Sequence, residues 1–205
     1  ACRTGKRQSP IDIRGARGTS QATLGFDYLA GATRMANNGH SVEITFAKGD
    51  RVGNGLTLDG RPYPLRGVHF HAPSEHRING KRYALEAHFV HGTSNDDLVV
   101  VGVLFEQGDF DDPVLDDLGT RWPGHTDYEY YLPERPRALD LLPASRDYFR
   151  YDGSLTRPPC SETVTWVVLK QPRNVSHPQL HRIREAMGGP NARPVQSRNG
   201  RAIWK

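Results

Sequence analysis

Two dipeptides, Asp59-Gly60 and Asn79-Gly80, place the strongest local constraint on how this chain folds. A type I′ turn requires positive φ at both central positions, and these residue pairs adopt it at little steric cost. Each dipeptide therefore predicts a tight turn between antiparallel strands. The segment after the second turn, 82–91, alternates well enough to be a strand.

Continuous β-favouring runs at 98–105 and 164–169 predict central strands that are covered on both faces. The 21 Gly and 15 Pro among 205 residues favour many turns between short strands. A capping-box pattern at Ser176 and Gln179 predicts one surface helix near the C-terminus. We interpret 109–143 as loops with one short helix, and we expect a mainly β fold with a small helical part.

The charge pattern argues against nucleic acid as a partner, because the 27 basic and 23 acidic residues are scattered and form no Lys/Arg block. The longest apolar run, 98–105, is far shorter than the roughly 20 residues that a membrane-spanning helix needs. We therefore expect no membrane span. The N-terminus has no charged-then-apolar leader pattern, which is compatible with a leader already removed.

Three histidines predict a metal site. His69 and His71 are two residues apart and so project from the same face of a strand. A two-residue hairpin centred on Asn79-Gly80 would place His88 opposite His71, with Cβ atoms about 5 Å apart. Three imidazoles with an open fourth position are typical of a catalytic zinc rather than a structural one.

Two carboxylates are candidates to support these histidines. Glu86 shares a face with His88 and could fix the tautomer of that imidazole, or it could be a solvated strand carboxylate. Glu75 follows the break at Pro73 and could accept a hydrogen bond at the site, or it could belong with His76 to an ordinary polar turn.

The two cysteines, Cys2 and Cys160, leave two interpretations open: one long-range disulfide, or two free buried thiols. A disulfide would close a loop of more than about 150 residues and stabilise the fold by about 5 kcal/mol in the chain-entropy model. It would also indicate an oxidising compartment.

Eight motifs, in this order along the chain, resemble those of the α-class carbonic anhydrases, and within them the bacterial secreted or periplasmic forms. They are QSPIDI at 8–13, NNGHS at 37–41, HFH at 69–71, SEH at 74–76, EAHFVH at 86–91, GSLTRPP at 153–159, TWVVLK at 165–170 and RP at 193–194. The resemblance implies one domain over 1–205, with a central, mostly antiparallel twisted sheet of about ten strands and short peripheral helices. It also implies reversible hydration of CO2 to bicarbonate by zinc-bound hydroxide.

The resemblance assigns a role to each matching residue. It implies that the zinc ligands are His69, His71 and His88, supported by Glu86 and Asn191. It implies that the Thr156 hydroxyl donates to Glu75 and orients the hydroxide, and that His40 is the proton shuttle. It implies an apolar wall for CO2 made by Val90, Val100, Leu155 and Trp166, and a disulfide between Cys2 and Cys160.

Three departures from the family pattern bear on function. Gly67 stands where the family usually has the Gln that orients the first histidine, so we expect His69 to rely on water or backbone. Arg157 replaces a Thr or another small residue, so we expect it to strengthen binding of bicarbonate and inhibitory anions. The family's aromatic N-terminal segment is absent before Cys2, and a truncated N-terminus is one interpretation.

Further expectations follow from the resemblance: sulfonamide and anion inhibitors, a monomer or homodimer, and a periplasmic or secreted location.

Two rival functions have weaker support from the sequence. A cupin would share His69, His71 and Glu75, but it should show a Pro-x-Gly turn ahead of its last histidine, and 83–86 has none. A binding module that keeps the fold without activity would be expected to lose a zinc ligand, and all three are present.

Overall fold

Long strands dominate the computed structural model, which describes residues 1–18, 22–47, 54–119, 122–126, 128–133 and 135–205. These residues form fourteen strands, two α-helices and one 3₁₀ turn, Ala138–Leu141. The strands are β1 (Asp12–Ile13), β2 (Leu24–Tyr28), β3 (Ala32–Asn37), β4 (Val42–Phe46), β5 (Asn54–Leu58), β6 (Arg61–His71), β7 (Arg77–Ile78), β8 (Lys81–Arg82), β9 (Leu85–Ser94), β10 (Asp97–Gly108), β11 (Glu129–Tyr131), β12 (Tyr148–Gly153), β13 (Val164–Leu169) and β14 (Arg173–Ser176), and the helices are α1 (Pro113–Asp117) and α2 (His177–Ala186).

One large mixed sheet organises the described residues. It has eleven strands, with the central order β11-β3-β4-β6-β9-β10-β13-β12; β5 pairs with β6 and β2, and β14 pairs with β10. Most neighbours are antiparallel, whereas β10 pairs in parallel with both β13 and β14. A small second sheet contains β1, β7 and β8. The expected mainly β architecture with a mostly antiparallel sheet of about ten strands is confirmed.

Both predicted hairpin turns are present. Asp59 and Gly60, with φ of 54° and 77°, join β5 to β6, and Asn79 and Gly80, with φ of 50° and 83°, join β7 to β8. All four residues lie in the left-handed region that a type I′ turn requires. The two dipeptides therefore set these turns locally.

The middle of the sheet separates two hydrophobic cores, because alternate residues of a strand point to opposite faces. From β10, Val99, Val101 and Val103 pack into the larger core. Val100 and Leu104 pack into a smaller core on the other side, together with residues of β12 and β13. The buried central strands expected at 98–105 and 164–169 are confirmed.

The predicted pairing of the histidine strands is wrong by two residues. His88 lies opposite His69, and His71 lies opposite Glu86. The local hairpin does have the predicted register, with Ile78 opposite Lys81. Strand β6 ends at His71, and the segment with Pro73 separates it from β7. The register of the β7–β8 hairpin therefore does not determine how β6 pairs with β9. Because the offset is an even number of residues, each side chain stays on its expected face.

The C-terminal helix α2 begins as predicted. The Ser176 hydroxyl accepts from the Gln179 amide, and the Gln179 side chain accepts from the Ser176 amide, so both halves of the capping box form. Leu180 and Ile183 are buried against the larger core. Within 109–143, the described part of the chain contains the expected short helix, α1, and also β11 and the 3₁₀ turn, which were not predicted. No helix among the described residues is long and apolar enough to span a membrane.

Candidate metal centre

Three histidines from neighbouring strands converge on one point. His69 and His71 come from β6 and His88 from β9, and one nitrogen from each ring lies within 4.8 Å of the others. The ring centroids are 5.1 Å apart for His69 and His71, 5.2 Å for His69 and His88, and 4.6 Å for His71 and His88. The convergence predicted from the sequence is therefore present, although the pairing that produces it differs.

The donor atoms suit a zinc ion. His71 Nε2 is buried without a hydrogen-bond partner among the described residues, which is the environment of a ligand atom. His88 Nε2 is 2.9 Å from Glu86 Oε1, so its Nδ1 is the nitrogen left for a metal. Three imidazoles are a typical catalytic zinc set.

Burial keeps the imidazoles of His69 and His71 neutral. Desolvation lowers the pKa of His69 and of His71 well below the usual value, and repulsion from His88 and Arg157 lowers both further. A neutral imidazole retains the lone pair that binds a metal. The site is thus ready to bind a cation at neutral pH without first releasing protons from these two rings.

Glu86 is the centre of a buried hydrogen-bond network. Its Oε2 accepts from the backbone amides of Glu75 and His76, and its Oε1 is 2.7 Å from His76 Nδ1 and 2.9 Å from His88 Nε2. Burial alone would raise the pKa of Glu86, but His76 and His88 hold it well below the usual value. Glu86 therefore remains an anion that accepts hydrogen bonds and fixes the His88 ring, as the strand pattern predicted.

The network continues through residues that the sequence analysis did not connect to the metal site. His76 Nε2 is 2.6 Å from the Tyr151 hydroxyl, which donates to Ser9 Oγ at 3.0 Å. Ser9 Oγ also accepts from the Ser154 amide at 3.0 Å. This chain of contacts links Glu86 to the segment that carries Thr156.

Glu75 is fully buried next to Thr156. Its Oε1 accepts from the Arg193 amide at 2.8 Å. Burial raises the pKa of Glu75, while nearby His88, the Arg193 amide and the Thr156 hydroxyl lower it. Glu75 Oε2 is buried without a hydrogen-bond partner among the described residues. The polar-turn interpretation of Glu75 is wrong.

A cavity of about 200 Å³ opens beside the histidines. It is lined by His69, His88, Thr156 and Arg157, by the four predicted apolar residues Val90, Val100, Leu155 and Trp166, and by Pro158, which was not predicted. One side of the cavity is thus polar and carries the candidate metal ligands His69 and His88, and the other is apolar and large enough for a small nonpolar molecule.

His40 and Arg157 lie at the outer part of the site. The Arg157 guanidinium donates to the His40 carbonyl at 2.6 Å, and the Asn191 side-chain amide donates to the same oxygen at 3.0 Å. Asn191 also donates to the Phe70 carbonyl at 3.1 Å, and its own carbonyl is 3.5 Å from His71 Nδ1. Asn191 thereby connects the His40 turn to the ligand strand, and the His40 side chain is exposed.

A disulfide joins Cys2 to Cys160, with a Cα–Cα distance of 5.0 Å. The Cys160 amide donates to the Arg157 carbonyl at 2.8 Å, and the Cys160 carbonyl accepts from the Gln8 side chain at 3.1 Å. The N-terminal segment is therefore fastened to the loop that carries Thr156 and Arg157. The alternative of two free thiols is wrong.

Comparison with known proteins gives one consistent result. The family model for eukaryotic-type carbonic anhydrase matches residues 1–205. A carbonic anhydrase from Pectobacterium atrosepticum is 38% identical over 205 residues, which cover 98% of this chain and 81% of that protein.

Solved structures agree with this match. The α-carbonic anhydrase of Photobacterium profundum matches with a TM-score of 0.92 and 40% identity, over 100% of this chain and 91% of that one. The α-carbonic anhydrase of Thermovibrio ammonificans, solved in complex with the inhibitor sulfanilamide, matches with a TM-score of 0.91 and 42% identity, over 100% of this chain and 89% of that one.

Proposed function

Because the chain belongs to the eukaryotic-type carbonic anhydrase family, a family of lyases that hydrate CO2, we propose that it carries out this reaction at a zinc ion held by His69, His71 and His88. The observation that carries the proposal is the convergence of three ring nitrogens within 4.8 Å at the wall of an apolar-sided cavity. When bound, zinc supplies a nucleophile at neutral pH, since in carbonic anhydrases it lowers the pKa of a bound water to about 7, a value known for this class of enzyme.

Thr156 orients that nucleophile. A threonine hydroxyl has one proton and two lone pairs. If that proton is directed to the buried Glu75 carboxylate, the Thr156 oxygen can only accept a hydrogen bond from the attacking group. The remaining lone pair of the attacking oxygen is then directed toward the carbon of CO2, which is an advantage of orientation.

The apolar wall holds CO2 next to the nucleophile. Val90, Val100, Leu155 and Trp166 line the cavity, and Trp166 also donates to the Ser154 carbonyl at 3.0 Å. A nonpolar substrate gains from burial against such a surface, whereas the charged bicarbonate product does not. The wall therefore favours binding of the substrate and release of the product.

His40 transfers the proton that each hydration reaction produces. Histidine is the side chain that titrates near neutrality, so it can accept a proton from the site and return it to buffer. The exposed position of His40 and its link through Asn191 to the ligand strand support this role.

Arg157 gives the polar side of the cavity a positive charge. Its charge reaches the site, since it contributes to lowering the pKa of His69. A guanidinium there attracts bicarbonate and small inhibitory anions. We also expect inhibition by sulfonamides, as the complex of the Thermovibrio ammonificans protein with sulfanilamide suggests for a related site.

The disulfide between Cys2 and Cys160 supports a periplasmic or secreted location, because disulfides persist in oxidising compartments. A test is to determine the redox state of the two cysteines by mass spectrometry in protein trapped with an alkylating agent. Alkylation of both thiols in freshly isolated protein would contradict this location.

The function is tested by measuring zinc content and stopped-flow CO2 hydration together. We expect one zinc per chain and catalysed hydration in the wild type, and loss of both in His88→Ala while circular dichroism shows a folded protein. His181→Ala is the matched control, since its side chain is 61% exposed on α2. Full zinc occupancy in His88→Ala would refute the ligand set, and a zinc-loaded wild type without hydration would refute the activity.

A further inference from the structure

His69 differs from the other two histidines in the support of its ring. His88 has Glu86 at 2.9 Å, and His71 Nδ1 lies 3.5 Å from the Asn191 carbonyl. Within the described ranges of the chain, no hydrogen-bond acceptor of ordinary geometry reaches the His69 ring. A metal-binding imidazole needs one, because the acceptor fixes the tautomer and the orientation of the ring.

Glu43 is the cross-strand neighbour of His69. The two residues are directly paired between β4 and β6. Directly paired residues in an antiparallel sheet present their side chains on the same face, with Cβ atoms about 5 Å apart. The carboxylate of Glu43 is therefore within reach of the His69 ring by rotation of its own side chain.

Gly67 leaves the space that this carboxylate uses. Residues 67 and 69 are on the same face of β6, since they are two apart on a strand. Glu43 Oε1 lies 3.1 Å from the point where a Cβ on residue 67 would stand. The carboxylate thus occupies the place beside His69 from which a side chain at position 67 would otherwise extend.

We propose that Glu43 is the positioning residue for His69: its carboxylate accepts a hydrogen bond from one ring nitrogen and so directs the other nitrogen toward the metal. The inference rests on the proposed function, because it requires zinc at the three histidines. It replaces the expectation that Gly67 leaves His69 to water or backbone.

The first test is the dissociation constant for zinc, measured by competition with a chelator in folded protein. Glu43→Ala should weaken zinc binding by about tenfold, the lower end of the range for loss of a partner that orients a ligand. Glu43→Gln keeps an acceptor oxygen and should stay within about threefold of the wild type, by the same reasoning. Glu129→Ala, which removes an exposed carboxylate on β11 of the same sheet, is the control for loss of charge.

The second test moves the acceptor to the other strand. The double variants Glu43→Ala/Gly67→Gln and Glu43→Ala/Gly67→Ala add the same Cβ, 3.1 Å from the Ile44 carbonyl, so any strain is common to both. Only the glutamine offers an amide oxygen on the His69 face. We expect tighter zinc binding in the glutamine variant than in the alanine variant.

Each outcome decides one of the two proposals. A wild type that binds zinc, with Glu43→Ala binding as tightly as Glu129→Ala, would overturn the role of Glu43 and leave the metal site in place. The same conclusion follows if the two double variants bind zinc equally. A wild type that binds no zinc would overturn the proposed function itself.

Discussion

His40 occupies a turn whose main chain is held from several sides. The Gly39 amide donates to Asn37 Oδ1 at 2.8 Å, and the His40 amide donates to Asn38 Oδ1 at 3.0 Å. The carbonyl of His40 accepts from Arg157 and from Asn191. The backbone is therefore fixed beside the site while His40 is exposed, which suits the proton-shuttle role proposed for it.

We predict that His40→Ala lowers the maximal turnover in dilute buffer by at least about tenfold, because general acid and base groups contribute that much or more. The value of kcat/KM for CO2 hydration should change little, since it reports the steps before proton transfer to buffer. Addition of imidazole buffer should restore turnover. Stopped-flow hydration at several buffer concentrations measures all three.

His181→Ala provides the control for this experiment, because it removes another exposed histidine that lies on α2. Its turnover should equal that of the wild type at every buffer concentration. If His40→Ala also retains full turnover in weak buffer, another group carries the proton.

The positions of single site residues could be predicted from the sequence where those residues follow a local spacing pattern. The alternation of His69 and His71 placed both on one face, and the spacing from Glu86 to His88 indicated their contact. Tyr151 and Ser9 have no such pattern, because their hydrogen bond joins residues 142 positions apart. Their place in the Glu86 network depends on how β12 packs in the sheet, which no local spacing encodes.

At the scale of whole elements, the turns were predictable and the register was not. Asp59-Gly60 and Asn79-Gly80 determine their own turns through positive φ. The pairing of β6 with β9 depends in addition on the segment between β6 and β7, where the chain leaves the strand after His71. The alternation of side chains survived this error because the offset was even.

A buried histidine, His91, connects β9 to β2 and β10. The Tyr28 hydroxyl on β2 lies 2.7 Å from His91 Nε2, and His91 Nδ1 is 3.1 Å from the Val99 carbonyl on β10. Burial lowers the pKa of His91 from 6.5 to about 3, although its contacts with backbone carbonyls oppose this shift. The folded state therefore keeps His91 neutral throughout the mildly acidic range.

We predict that His91 makes the fold less stable as the pH falls from 6.5 toward 3. Below pH 6.5 the unfolded chain binds a proton that the folded chain cannot, so the lost stability reaches about 2 kcal/mol at pH 5. His91→Gln removes this titration. Between pH 7.5 and 5, its free energy of unfolding in urea should fall by about 2 kcal/mol less than that of the wild type.

Comparing His91→Gln with the wild type isolates the titration of His91, because both proteins retain His69, His71 and His88. His177→Gln, at an exposed position on α2, should reproduce the wild-type pH dependence. Identical losses of stability in His91→Gln and the wild type would contradict the assignment.

At the scale of the whole molecule, the order of strands could not be derived from the sequence by physical reasoning alone. β-favouring runs predicted β10 and β13, but the parallel pairing of Val100 with Trp166 joins segments that are distant along the chain. Residues 109–143 lack a hydrophobic period, so β11 at the sheet edge left no signal. The expected sheet came from the resemblance of eight motifs to a known family rather than from periodicity.

The disulfide between Cys2 and Cys160 acts at this largest scale, because it closes a loop between residues 158 positions apart. In the chain-entropy model, such a cross-link stabilises the fold by about 5 kcal/mol through loss of freedom in the unfolded chain.

We therefore predict that Cys2→Ser/Cys160→Ser lowers the free energy of unfolding in urea by up to about 5 kcal/mol. The wild type in reducing agent should lose the same amount, whereas the double variant should be insensitive to reductant, which separates the cross-link from the effect of the serines. Because Cys160 donates to the Arg157 carbonyl, loss of the cross-link should also loosen the loop that carries Thr156. Equal unfolding free energies for the oxidised and reduced wild type would show that the cross-link does not stabilise the fold.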